Sequence, residues 1–126
     1  MSENVKVENR DEGFVLIKLK GRFLGGGEND PVDELLGIFK KLSDENKVKV
    51  VVDMHDVDFF ASSAIGALVS GHTTMNKKNG ELVLYRPIQY IKDSLKMVKL
   101  DLVLTIEDNL QDAVKHFGIE LKENGE

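Results

Sequence analysis

The run VKVVVDM at 48–54 constrains the fold more than any other stretch of the chain. It is short, β-branched and bounded by polar turns, the pattern of a strand buried on both faces. Such a strand needs helices over its sheet, and helical spacing flanks it on either side. Upstream, Asp30-Pro31 makes a helix start, with Asp30 as N-cap and Pro31 at the first helical position, where its missing N–H costs nothing. Val32, Leu35, Leu36, Phe39 and Leu42 then form one apolar stripe. Downstream, a helix from Ser62 or Ser63 places Ile65, Leu68, Val69, His72 and Met75 on one face. Ala61, Ala64, Gly66, Ala67, Ser70 and Gly71 keep that helix slim enough to lie close to a sheet, and KKNG ends it with Gly80 as a left-handed cap.

The same alternation runs through the rest of the chain. VKV (5–7) and FVLIKLKGRF (14–23) read as strands around the turn NRDEG, with Gly21 as a bulge or bend. ELVLY (81–85) is a strand stopped by Pro87, and IQYIKDSLKMVKL (88–100) carries Ile91, Leu95 and Val98 at helical spacing. LVLTI (102–106) is a strand, and Leu110, Ala113, Val114 and Phe117 line a last helix closed by Gly118. The order β-β-α-β-α-β-α-β-α predicts an α/β fold with a mostly parallel sheet and the N-terminal strand added antiparallel at an edge. Residues 1–126 are expected to form one domain, with 119–126 a frayed tail.

Charge and composition narrow the function. The net charge is −5, from 22 acids against 17 bases, and the bases are dispersed, which argues against nucleic acid and against an anionic membrane surface. With no cysteine, disulfides, thiol catalysis and Cys-ligated zinc are absent. The N-terminus is polar and acidic rather than a signal peptide, and no apolar run is long enough to span a bilayer, so a cytoplasmic protein is expected.

Chemical motifs are sparse. Gly25–Gly27 follow a strand, but GGGEND has neither dinucleotide nor P-loop spacing, and it reads as a surface loop. Asp53 ends the central strand, with His55, Asp56 and Asp58 beyond; a metal site and an aspartyl-phosphate acceptor both lack their partner acids, leaving a turn Asp that bonds backbone amides. His55, His72 and His116 show no ligand spacing, and there is no G-x-S-x-G elbow. No cofactor is expected, and an enzyme is the weakest reading. Ser62 and Ser63 at a helix start fit a cap, contributing about 1 kcal/mol, or a phosphorylation switch.

The longer run VVVDMHDVDFFASSAIGAL resembles the signature of the STAS domain, the fold of bacterial anti-sigma factor antagonists. Asp53, Val57, Phe59, Ser62, Ser63, Ile65 and Gly66 occupy its places, and Gly21, the helix from Asp30, NGELVLY and VLTIEDNLQDAV extend the likeness along the chain. The resemblance implies an antagonist that binds an anti-sigma factor, itself a serine kinase, and so frees a sigma factor. It implies phosphorylation at Ser62, reversed by a PP2C-type phosphatase, and a docking surface of His55, Asp56, Asp58, Phe60, Ala61, Ser62, Ser63 and Ile65. Of the neighbours Phe59 and Phe60, strand alternation assigns one to the core. Ala61, Ala64 and Leu24 stand where the family has Asp, Gly and an acid. Those departures keep open a constitutive scaffold or ligand-sensing module without the switch.

Overall fold

The computed structural model describes residues 3–121. Five strands form one sheet in the order β1-β2-β3-β4-β5: β1 (Val5–Arg10), β2 (Phe14–Phe23), β3 (Lys49–Phe60), β4 (Glu81–Tyr85) and β5 (Thr105–Glu107). β1 pairs antiparallel with β2 at one edge, and all other pairs are parallel. The helices are α1 (Pro31–Asp44), α2 (Ser62–Asn76), α3 (Gln89–Met97) and α4 (Leu110–Lys115). The expected alternation and edge strand are therefore present.

The sheet is covered unequally. The larger core gathers Ile17, Leu19, Val50, Val52, Leu82 and Leu84 of the sheet with Leu35 and Phe39 of α1, Leu68 and Met75 of α2, and Ile91 and Leu95 of α3. On the other face, among the described residues, α4 and the segment after it pack, with Leu110, Ala113 and Val114 against Phe14, Leu16, Val51 and Val83 and with Phe117, Ile119 and Leu121 beside them. Val50, Val51 and Val52 are all fully buried, because successive side chains of one strand enter opposite cores.

Several expectations change in detail. The segment 55–60 is strand, not loop: β3 continues alongside β2 past the point where β4 stops. Two register shifts, between Lys18 and Lys20 and between Gly21 and Arg22, each place one extra residue in β3. Gly21, at φ +89, sits at the second shift, as the bulge reading required. In α2 Leu68 and Met75 are buried as expected and Ile65 packs half-buried against the core, but Ala64, Ala67 and Gly71 complete the buried face where Val69 and His72 are only half-buried. A Cβ at Gly71 would lie 2.6 Å from the Phe39 ring, which shows how closely α1 and α2 approach.

Asn79, not Gly80, takes the left-handed conformation after α2, at φ 62. Gly80 is required for a different reason, since a Cβ there would overlap the carbonyl of Val48. Finally, α3 ends before Val98, and Lys99, at φ 64, leads into a 3-10 turn over Leu100–Leu102. Leu102 and Val103 are exposed, so the run 102–106 becomes strand only from Thr105. Of the expected tail, 119–121 is held: Ile119 N–H donates to Val114 O at 3.1 Å and Leu121 N–H to Gln111 Oε1 at 2.9 Å. Residues 122–126 lie outside the described residues.

Candidate functional site

Beyond Asp53, β3 pairs with β2 alone and carries the chain to the start of α2. Ala61 is the N-cap residue, extended at φ −72 and ψ 169, and its N–H donates to Phe23 O at 2.9 Å. Ala64 and Ile65 N–H both donate back to Ala61 O at 3.0 Å, which closes the first turn. Ala61 has no side-chain oxygen, so no side chain caps α2, and no acid lies in its first turn. Ser62 and Ser63 are both exposed. Ser62 is the first helical residue rather than the cap, so the capping role considered for the serines falls away. The positive end of the helix dipole is left without a compensating side chain beside the Ser62 hydroxyl.

The glycine loop shapes this end of the molecule. Asp30, nearly buried, accepts from Val32 N–H at 2.9 Å as the cap of α1 and from Gly26 N–H at 2.8 Å with its other oxygen. One carboxylate thus starts α1 and folds the loop back. The loop arrives at Ser63: a Cβ on Gly25 would overlap the Ser63 hydroxyl. Gly25, at φ +80, also holds a backbone conformation that favours glycine. The bond from Gly26 N–H to Asp30 and the contact of Gly25 with Ser63 have no local sequence signal.

The remaining predicted residues separate by face. His55, Asp56 and Asp58 are exposed along the β2–β3 ribbon, and Ile65 is half-buried one turn into α2. At about 3.3 Å per strand residue, His55 and Ala61 lie about 20 Å apart, so these residues form a strip rather than one pocket. Phe60 does not belong to it. Its side chain is buried at 6% exposure and packs on Phe23 with ring centroids 4.9 Å apart. Phe59 is the neighbour that faces outward, with the Arg22 guanidinium 5.3 Å from its centroid and the Tyr90 ring stacked at 6.4 Å and 23°. The outward-facing aromatic of the strip is therefore the half-buried Phe59, and sequence reasoning missed Arg22 and Tyr90, which come from other elements.

Asp53 bonds an amide as expected, accepting from His55 N–H at 3.1 Å, but its main partner is Arg86. Arg86 Nε reaches Asp53 Oδ1 at 3.0 Å and Nη2 reaches Oδ2 at 3.1 Å, a two-point pair. Hydrogen bonding to this carboxylate, set against some desolvation, holds the Arg86 guanidinium above its ordinary pKa. With both oxygens engaged and Asp53 only 6% exposed, its role here is to tie β3 to the end of β4. His116 contacts Glu107 at 2.7 Å and Glu81 at 3.7 Å, away from the serines on the α4 face. Among the described residues, no three His, Cys, Asp or Glu side chains are placed to hold a metal ion. No helix among them is long and apolar enough to cross a membrane.

Comparison with known proteins bears on this geometry. The family model of the STAS domain matches residues 9–113. An anti-sigma-factor antagonist (STAS) domain protein from Planctomyces limnophilus superposes with a TM-score of 0.73 at 21% identity, covering 91% of this chain and 98% of its own. An anti-sigma factor antagonist from Mycobacterium paratuberculosis gives 0.73 at 18% identity, over 90% and 92% of the two chains. The Bacillus cell fate determinant SpoIIAA in its phosphorylated form gives 0.68 at 13% identity, over 90% and 98%. At these identities the likeness shows a shared fold. No curated protein sequence matches the chain.

Proposed function

The chain belongs to the STAS domain family, and from that premise we propose that it is an anti-sigma factor antagonist. In this reading it binds an anti-sigma factor through the strip from His55 to Ile65, with Phe59 in place of Phe60, and so releases a sigma factor. The anti-sigma factor is a serine kinase that phosphorylates Ser62 with its own Mg-ATP, and a PP2C-type phosphatase reverses the step. The protein acts in the cytoplasm and supplies no catalytic group.

The observation that carries the reading is Ser62 itself, exposed at the first position of a helix whose N-terminus has no side-chain cap. A phosphate there meets the positive end of the helix dipole and free N–H groups, so the fold tolerates it. It also adds about −1.5 to −2 charges to the middle of the docking strip, which opposes binding. Fold and affinity therefore respond in opposite directions to one modification. The test is intact-mass analysis after incubation with Mg-ATP and the anti-sigma kinase of the same genome, beside Ser62→Ala. One phosphate on the wild type alone supports the switch at Ser62.

Ala61 and Leu24 favour a second reading. Neither offers a carboxylate near the serines, and Leu24 is exposed rather than turned toward a core role. Complex formation without any phosphate in the same experiment supports a constitutive STAS scaffold.

A further inference from the structure

We propose that Arg22, Phe59 and Tyr90 form the anchor of the partner interface and engage a carboxylate set beside an apolar side chain on the anti-sigma factor. The proposal rests on the antagonist reading above and adds the site and chemistry of its strongest contact. The three residues come from β2, β3 and α3, and they meet as a cation over one ring and a second ring stacked on it. Because each is held by a separate element, the platform is formed before a partner arrives, which reduces the ordering cost of binding. Tyr90 is 53% exposed although it carries a large apolar ring. Leu24, two residues beyond Arg22 in the chain, is exposed as well.

Arg22 makes no ion pair within 4.0 Å among the described residues. The ion pairs among the described residues engage Arg10, Lys18, Lys40, Lys47, Arg86, Lys92 and His116, but not Arg22. Its guanidinium lies over the Phe59 ring with its edge donors free for a two-point contact, the geometry that a carboxylate fits. Arginine and tyrosine in a partly desolvated setting are the residue types that dominate interface energies. Phe59 lies three residues before Ser62 in the chain, so the two are at most about 10 Å apart along the backbone. That is close to one Debye length, so a phosphate on Ser62 repels the same carboxylate that Arg22 attracts. The anchor thereby supplies a route from phosphorylation to loss of affinity.

The test is titration calorimetry with the histidine-kinase-like ATPase anti-sigma factors of the same genome as probes. Tyr90→Ala and Arg22→Ala are each expected to weaken binding by roughly tenfold or more. Met97→Ala, at the 84%-exposed far end of α3, should bind as the wild type does. Added salt should weaken the wild type more than Arg22→Ala. If both alanine variants bind like the wild type while Ser62→Asp is weakened, the anchor is overturned and the antagonist reading stands. If the wild type binds none of the probes, or Ser62→Asp binds as tightly as the wild type, the antagonist reading fails and the anchor falls with it.

Discussion

Gly25 packs directly on the hydroxyl of Ser63: a Cβ at Gly25 has no room beside that oxygen. Gly26, at φ +85, shares the left-handed backbone but faces open space. Alanine at either position strains the backbone by about 1–2 kcal/mol. Only Gly25→Ala also displaces the Ser63 side chain. The expected outcome is similar stability for the two variants in urea titrations. Phosphorylation and partner binding should be impaired at Gly25→Ala and near wild type at Gly26→Ala. Equal function in both would mean that the loop contact has no bearing on the serines.

Arg86 combines a strained backbone with a buried partner. It sits at φ +45, its N–H donates to Glu107 O at 2.8 Å, and its guanidinium holds Asp53 at two points. Arg86→Ala leaves the Asp53 carboxylate buried without that fork and should cost about 1–3 kcal/mol. Arg86→Gly removes the same fork but relaxes the backbone, so it should be more stable than Arg86→Ala by about 1 kcal/mol. The pH response follows from the raised guanidinium pKa. The stabilisation is fully present below the ordinary arginine range and is lost only as pH rises through the higher folded value. Denaturation of wild type and Arg86→Ala between pH 6 and about 9 should therefore give a constant difference.

Phe59 and Phe60 are adjacent yet belong to different environments. Phe60→Ala opens a cavity beside Phe23 and should cost about 3–5 kcal/mol, whereas Phe59→Ala should cost under about 1 kcal/mol. Thermal melts of the two variants decide it. A larger loss at Phe59 would mean that the strip presents the wrong aromatic.

These two residues also mark where the sequence stops being legible. The run at 50–54 is plain because Val50, Val51 and Val52 are apolar on both faces. Past it, Met54, Val57 and Phe60 all enter one core at every third residue, a spacing that matches neither strand nor helix. The two bulges against β2 produce that spacing, and only pairing partners 35–37 positions away reveal them. In α2 Leu68 and Met75 mark the buried face directly, while the part that Ala64, Ala67 and Gly71 play in it, with Gly71 against the Phe39 ring, depends on packing with α1 and has no local signal. The Asp30–Pro31 start, by contrast, is local chemistry and was readable directly. Ser62 was readable for the same reason, since it lies within one contiguous motif. Arg22, Tyr90 and Gly25 reach the site from three separate segments, so no local pattern could assemble them.

Ser62→Asp separates the fold from the switch. A carboxylate at the first position of α2 faces the positive end of the helix dipole, where a negative charge contributes about 0.3–1 kcal/mol of stability. The exposed site imposes little desolvation on it. The variant should therefore melt at or slightly above the wild-type temperature. In the complex the same charge lies inside the docking strip, so affinity for the anti-sigma factor should fall, and the fall should shrink as salt is added. Ser63→Asp is the informative neighbour, because its side chain meets Gly25 and the loop must shift to admit it. It should lose stability as well as affinity. A Ser62→Asp protein that unfolds early would show instead that this helix end cannot carry a negative charge, and a phosphate on Ser62 would then act by melting α2 rather than by repelling a partner.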